Sequence, residues 1–386
     1  MASGSSSGYK PAPRVVICGG GIIGAATAYY LAARGLGPGV TIVEREEPAC
    51  AASGKAGGFL ALDWNDSSPV GPLARLSYGL HAQLAAELGA ERVGYRGVHT
   101  LQVVGVEKAP AGAKGRLRGG EALPDWVDGH VLGVSDMGDP ATTAQVHPRL
   151  LTHALIAAAE ARGAVLRRGC VEGLRLQAEE GAGGRGRRVT GVKVDGAVLP
   201  ADVAVIAMGP WSDAARAWLA PWLPPVSGQK YHSVVLRPSE PVTPHMLFTG
   251  FKTAAGRTVE PEVYPRPDGS VYVCGEPQAL PVPPAQAQVT VEEELGDNIR
   301  RVAGSLASCL REAPVEARQA CYLPLTPDGV PLVGPVPGVA GALLGTGHSC
   351  WGILNGPGTG LVLAEMIAEG KASSCDVEGL APARYM

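Results

Sequence analysis

No two of the eight cysteines form a C-x-x-C pair and no histidines gather at metal-ligand spacing, which argues against a metal site. No apolar run reaches the roughly 18 residues that a membrane span needs. There is no polybasic cluster and the formal charge is −3, so nucleic acid and anionic membrane surfaces lack an electrostatic footprint. Residues 1–13 are rich in Ser, Gly and Pro and lack the apolar core of a secretory signal; they read as a flexible tail. Cys18, Cys50, Cys170, Cys274, Cys309, Cys321, Cys350 and Cys375 are scattered. Several lie in apolar strand-like runs and read as buried free thiols, which suits a reducing compartment, the cytoplasm first and an organelle second. What remains is a chain of 386 residues, 46% hydrophobic and 18% charged, enough for one large core or two interleaved ones. Its expected partner is a small molecule, and nothing in it fixes an oligomeric state.

The most informative stretch is near the start. The apolar run Arg14–Cys18 leads into Gly19-Gly20-Gly21-Ile22-Ile23-Gly24 and then an alanine-rich segment, the pattern of strand, glycine turn and helix. Gly19, Gly21 and Gly24 have the G-x-G-x-x-G spacing: the first permits the tight turn, the second lets backbone approach a pyrophosphate, the third lets helix and strand pack closely. The phosphates would sit on the helix N-terminus, where free N–H groups and the helix dipole stabilise anions. Thr41–Glu44 follows as a second strand ending in a carboxylate, with Glu44 20 residues beyond Gly24. Such a group accepts hydrogen bonds from ribose hydroxyls and repels a 2′-phosphate.

Ala51–Gly58 packs small residues and glycines without a hydrophobic period and reads as a loop lying against a flat ligand. Pro72–Leu88 repeats at helical spacing, 98–106 reads as a strand and Glu107–Gly120 as an exposed loop. Pro148 opens a helix over Arg149–Arg162. Ala164–Arg168 is expected to be a third parallel strand, Val189–Val194 with Ala197–Leu199 a hairpin about Asp195-Gly196, and Ala201–Ala207 a buried strand. Between 221 and 290, strands around Tyr231–Leu236, Glu262–Tyr264 and Ser270–Cys274 suggest an antiparallel sheet, followed by a helix over Val291–Leu310.

The C-terminal third carries Cys321–Gly334 and the turn Gly345-Thr346-Gly347-His348-Ser349-Cys350-Trp351-Gly352. Together with the N-terminal fingerprint, Ser53–Gly58 and Ala207–Ser212, these resemble the FAD-dependent D-amino acid oxidase superfamily, which includes glycine oxidase and sarcosine oxidase. Their texture is nearest its little-characterised fungal and plant branch. The resemblance implies an α/β fold: a Rossmann-like FAD-binding domain with a parallel sheet (14–75, 145–215 and 325–386), interleaved with an antiparallel-sheet substrate domain (76–144 and 216–324). It also implies FAD in an extended pose, held by Gly19, Gly21, Ile22, Ile23, Gly24, Glu44 and Arg45 at the adenosine-pyrophosphate end. Val171 would meet the adenine through its backbone. Ser53, Gly54, Lys55, Ala56, Gly57, Gly58, Gly209, Trp211, Gly347, His348, Cys350, Trp351 and Gly352 would complete the site. A second helix opening near Gly358-Thr359-Gly360 would aim its dipole at the flavin. His348 reads first as a support of its turn and second as a catalytic group; Trp351 reads equally as a wall of the ring or as core.

The familiar carboxylate clamps of the superfamily are missing. Leu323 stands where amino-acid oxidases place an arginine before the proline, and Trp351 where sarcosine oxidases place a lysine. Leucine cannot make the bidentate guanidinium–carboxylate pair, so a small amino-acid substrate would need Lys55, Arg257 or Arg266 as a substitute. Cys321 matches the cysteine that sarcosine oxidases bond to flavin, but the preferred reading is a buried free thiol and dissociable FAD. Tyr272 takes the place of the lysine those enzymes use in oxygen reduction. Candidate polar groups on the substrate side are Lys230, Tyr231, His232, Tyr264, Arg266 and Tyr272, with Tyr264, Lys55 and His348 as the catalytic candidates. The expected activity is oxidation of a C–N bond of an amine or amino-acid-like substrate by hydride transfer to flavin N5. The alternatives are an FAD-binding interaction protein with little turnover and an NAD-linked dehydrogenase.

Overall fold

The computed structural model describes residues 12–109, 123–179 and 186–386. The expected loop from Glu107 lies outside them beyond residue 109, as does the tail but for its last two residues. Strand β1 (Val15–Cys18) is buried along its whole length and sits inside a six-stranded sheet. The order is Leu332–Pro335, Ala342–Thr346, Val203–Ile206, β1, β2 (Val40–Glu44) and Val165–Arg168. All pairings are parallel except that of the Leu332–Pro335 edge. Uninterrupted β-branched runs such as Val15-Val16-Ile17 suit a sheet covered on both faces.

Helix α1 (Ile22–Ala33) is apolar all round and nearly all buried, as a helix must be when the sheet lies on one side and other helices on the other. It packs against the helices Pro148–Glu160 and Gly352–Glu369. The second approach is so close that a Cβ on Gly360 would lie 2.5 Å from that of Ala26. The hairpin expected about Asp195-Gly196 is present, Arg187–Val194 pairing antiparallel with Ala197–Pro200. Both turn residues have positive φ, the requirement of a tight two-residue hairpin.

A second, larger sheet runs Val315–Leu325, Ser227–Leu236, Val271–Gln278, Glu262–Pro265, His245–Lys252, His99–Val106, His130–Gly138. It is antiparallel except between His245–Lys252 and His99–Val106. Strand alternation gives its faces different jobs. Val234, Val263, Val271 and Val273 pack with Ile299, Val302, Ala303 and Leu306 of the helix Glu293–Leu306. Val235, Tyr264 and Tyr272 face the other way, towards the glycine segment, where a Cβ on Gly57 would fall 2.0 Å from the Tyr264 ring.

Three local expectations are corrected. Ala52–Lys55 forms one helical turn inside the segment read as loop. The helix expected over 291–310 is two, Glu293–Leu306 and Ser308–Glu312, separated at Ala307, whose extended backbone lets Arg311 fold back and donate to the Gly304 carbonyl at 3.0 Å. The last long helix starts at Gly352 and runs through Pro357 to Glu369, not from Gly358.

Proline inside a helix removes one N–H and displaces the turn before it. Here the gap is filled from the helix Gly71–Leu88. His81 Nε2 lies 3.0 Å from the Ile353 carbonyl and 3.1 Å from that of Leu354, the Ser77 hydroxyl also donates to Leu354, and Ser77 Oγ accepts the Gly358 N–H at 2.8 Å. Nε2 must therefore carry the proton. Burial lowers the pKa of His81 to about 4, so the folded protein keeps it neutral. Since the unfolded chain binds this proton near pH 6.5, stability is fully present above that pH and is lost as pH falls towards 4. Replacing His81 by Leu should lower the melting temperature at pH 7, because the buried Ile353 and Leu354 carbonyls lose a donor worth about 1–3 kcal/mol. It should also make the decline between pH 6.5 and 4 shallower than in the unsubstituted protein; parallel pH profiles would refute this role.

Candidate active site

The carboxyl ends of the parallel strands open into one long cleft, where ligands bind in open α/β sheets. Its lining comes from Gly19–Ile23 after β1, Glu44–Glu46 after β2, Ala207–Trp211, and Gly345–Gly352, and it is closed on the far side by Leu323 and Pro324 of the antiparallel sheet. Its volume is about 290 Å³, the scale of a small-molecule site rather than a macromolecular groove.

The three fingerprint glycines differ in what surrounds them. Gly19 has φ +111°, and a Cβ there would meet the Ala207 carbonyl oxygen at 2.4 Å. Gly24 lies against the turn itself, its absent Cβ 2.0 Å from the Gly19 oxygen. Gly21 caps α1 with extended backbone and faces the cleft, where a Cβ would meet only Ser53 within 4 Å. The Ser53 hydroxyl accepts the Ile22 N–H at 3.0 Å, occupying one of the helix's free donors. Glu44 is held from two directions, Oε2 accepting the Gly20 N–H at 2.7 Å and Oε1 the Glu46 N–H at 2.9 Å. A carboxylate has about four lone-pair sites, so it retains capacity for ribose hydroxyls.

Beyond Glu44 a proline-rich segment crosses the cleft. Arg45 Nη1 donates to the Pro284 carbonyl at 2.6 Å, Trp211 Nε1 to that of Pro283 at 2.7 Å, and the Ala287 N–H to Glu46 Oε1 at 3.1 Å. The Arg45 guanidinium lies 5.5 Å from the Trp211 ring centre. These bonds carry Gln286 into the lining, 7% exposed, with its Oε1 buried and without a partner among the described residues. Val171, Cys170 and Trp218 line the same end. Sequence reasoning missed Gln286 and Trp218, since each sits on a single turn placed by long-range bonds; Met208 and Thr346 lay inside noted segments and were passed over.

At the other end, Gly347 and Ser349 both have positive φ, at +81° and +51°. For serine that conformation is uncommon. The turn sets His348 into the lining with its Nε2 2.9 Å from the Thr359 hydroxyl. Burial lowers the His348 pKa to about 4, so it is neutral and committed to the C-terminal helix. Cys350 and Gly352 also line the cleft; Trp351 lies beside it, edge-on to Trp64 at 6.1 Å.

Of the remaining candidates, Ile22, Ile23, Arg45, Ser53, Ala56, Gly209 and Trp211 border the cleft, whereas Gly24, Gly54, Lys55, Gly57, Gly58, Gly347 and Tyr264 are not among the residues that line it. Lys55 Nζ donates to the Ala320 carbonyl at 3.1 Å, and burial lowers its pKa. Burial pushes the Cys321 thiol up to about 11, with Lys55 opposing, which disfavours the thiolate that a covalent flavin bond requires. Lys230 and His232 both bind Glu292, and Arg257 pairs with Glu276 at 3.3 Å. Arg266 donates to the Ala56 carbonyl at 3.1 Å and lies over the Tyr272 ring. Tyr264 donates to Glu262, a carboxyl whose pKa burial raises while the Tyr264 and Cys274 hydrogen bonds oppose the rise.

Comparison with known proteins identifies the family. Residues 14–366 match the DAO family, described as FAD dependent oxidoreductase. The provisionally named oxidoreductase C1F5.03c of Schizosaccharomyces pombe is 31% identical over 391 residues, covering 95% of this chain and 97% of that protein. Glycine oxidase of Pseudomonas putida is 28% identical, covering 92% and 94%. The crystal structure of glycine oxidase from Geobacillus kaustophilus superposes with a TM-score of 0.77 at 24% identity, covering 97% of this chain and 99% of that chain, a likeness of fold.

The glycine surroundings give a stability test. Gly19→Ala should lower unfolding free energy by more than about 2 kcal/mol through backbone clash and strain, while Gly21→Ala should stay within about 1 kcal/mol; urea titration measures both, and equal effects would contradict the assigned surroundings.

Proposed function

The chain belongs to the FAD-dependent oxidoreductase family, and from that premise we propose that it oxidises a carbon–nitrogen bond of an amine or amino-acid-like substrate. The observation that carries the reading is the continuity of the cleft from the α1 N-terminus to Leu323 and Pro324 on the antiparallel sheet. The residues suit FAD on physical grounds. Gly21 leaves space where a pyrophosphate would lie on the α1 N-terminus. Gln286 Oε1 is a buried acceptor without a partner among the described residues, suited to a donor group such as the adenine amine. Glu44 is oriented for ribose, and the high pKa of Cys321 favours dissociable over covalent FAD.

Bound FAD supplies a two-electron oxidation: hydride leaves the carbon beside nitrogen, water hydrolyses the resulting imine, and dioxygen or another acceptor takes the electron pair. The protein's share is to position the substrate, exclude water and hold the Gly345–Gly352 backbone against the cofactor. His348 serves that last task, since its ring is neutral and bound to Thr359. No general base is required of it when hydrogen leaves as hydride.

Purified protein should be yellow, and acid precipitation should leave the colour in the supernatant; a yellow pellet would establish covalent attachment. Gly21→Val should fold normally and lose FAD affinity by at least tenfold, about 1.4 kcal/mol, measured by titrating apoprotein with FAD and following flavin fluorescence. Unchanged affinity would remove the pyrophosphate from this turn.

A further inference from the structure

The chain has only three phenylalanines and six tryptophans, and two of each meet at one place, around Phe248 of the large antiparallel sheet. Phe59, Trp64 and Phe248 touch one another with ring centres 5.0–5.1 Å apart, Trp351 stands edge-on to Trp64, and Tyr264 joins at 5.8 Å from Phe248. Large rings that meet in a core are usually covered. Phe59, Trp64, Phe248 and Trp351 are instead each half-buried, leaving aromatic surface open. Trp351 sits between Cys350 and Gly352, which line the cofactor cleft, and Tyr264 packs on Gly57 in the segment that borders it. The wall therefore adjoins the end of the cleft bounded by the antiparallel sheet.

One ionisable acid accompanies these rings. Glu262 is half-buried, held by the Tyr264 hydroxyl and 3.5 Å from the Cys274 thiol. No salt bridge engages it among the described residues. Nearby cations are turned to other work: Lys55 is bound to the Ala320 carbonyl, Arg257 to Glu276, and Arg266 caps the far end of the ladder Phe59–Tyr264–Tyr272, two rings away from Phe59. Aromatic faces attract cations through their quadrupole, and a carboxylate adds direct attraction. The same surroundings repel a substrate carboxylate, and the Arg266 guanidinium, which donates to the Ala56 carbonyl, stands behind Tyr272 and Tyr264 rather than among the open rings.

We propose that the aromatic wall and Glu262 form an amine-recognition site, and that the substrate is a cationic alkylamine without a carboxylate. This rests on the flavin reading above and narrows it. Glu262 would accept a hydrogen bond from the protonated nitrogen, and Trp64, Phe248 and Trp351 would receive its alkyl groups. The site binds the ammonium form, and oxidation requires loss of that N–H proton before hydride leaves the neighbouring carbon; Glu262 is placed to accept it.

The test uses the FAD-loaded protein with three small probes: N,N-dimethylethanolamine, N,N-dimethylglycine, and the uncharged isostere 3-methylbutan-1-ol. Binding is followed by tryptophan fluorescence, which Trp64 and Trp351 report, and turnover by anaerobic bleaching of the flavin. Dimethylethanolamine should bind at least roughly tenfold more tightly than either comparison compound and bleach the flavin faster than dimethylglycine. Glu262→Gln should remove its advantage over the alcohol while FAD absorbance is retained, and Trp64→Leu should weaken it in a protein whose carboxylate is intact. Protein that holds FAD but prefers dimethylglycine, or a Glu262→Gln variant that binds the amine as before, overturns the substrate class and leaves the flavin reading standing. Protein that shows the amine preference in tryptophan fluorescence but takes up no FAD supports the recognition site and overturns the flavin reading instead.

Discussion

The cofactor end of this protein depends on backbone meeting backbone where β1 turns into α1. A side chain at Gly24 would collide with the Gly19 carbonyl, and one at Gly19 with that of Ala207. Only without them can α1 seat its N-terminus at the carboxyl edge of the sheet, beside the strand Val203–Ile206. The cleft inherits its position from that contact. Glu44 reinforces it by accepting the Gly20 N–H, so a carboxylate at the end of β2 also braces the glycine turn.

From that anchor the chain builds outward by long-range bonds. The C-terminal helix crosses α1 at glycine and alanine, and its Pro357 gap is filled by Ser77 and His81. His348 is then bound to the same helix through Thr359. There the His348 ring, buried and neutral, holds the turn Gly345–Gly352 against that helix. On the opposite side Arg45, Glu46 and Trp211 hold residues 283–287 across the cleft. The turn at Gly345–Gly352 and this crossing segment meet the N-terminal residues Gly19–Glu46 in one cleft.

What was legible in the sequence was local or strongly patterned. The glycine spacing, β2 ending at Glu44, the Asp195-Gly196 hairpin and the strands around Tyr231, Glu262 and Cys274 each have short-range chemical reasons. The helix containing Pro357 was placed six residues late because proline and three glycines argue for a start, whereas its donors come from a helix far away in sequence. Gln286 and Glu262 escaped notice for a related reason. One stands in a proline-rich stretch held in place by Arg45, Glu46 and Trp211, side chains from two distant segments. The other is an ordinary strand carboxylate until Tyr264 and Cys274 engage it beside the ring cluster. Tyr264 stands out as a type of residue, but its significance lies in the partner it holds.

The central claim is that one cleft takes FAD end to end, adenosine beneath residues 283–287 and the flavin between Gly345–Gly352 and the antiparallel sheet. A crystal structure of the protein with FAD bound tests it most directly. The account predicts electron density for the pyrophosphate at Gly21 and the α1 N-terminus, with the isoalloxazine reaching Leu323 and Pro324. A dinucleotide lying elsewhere, or a flavin ring that does not approach those two residues, would contradict it.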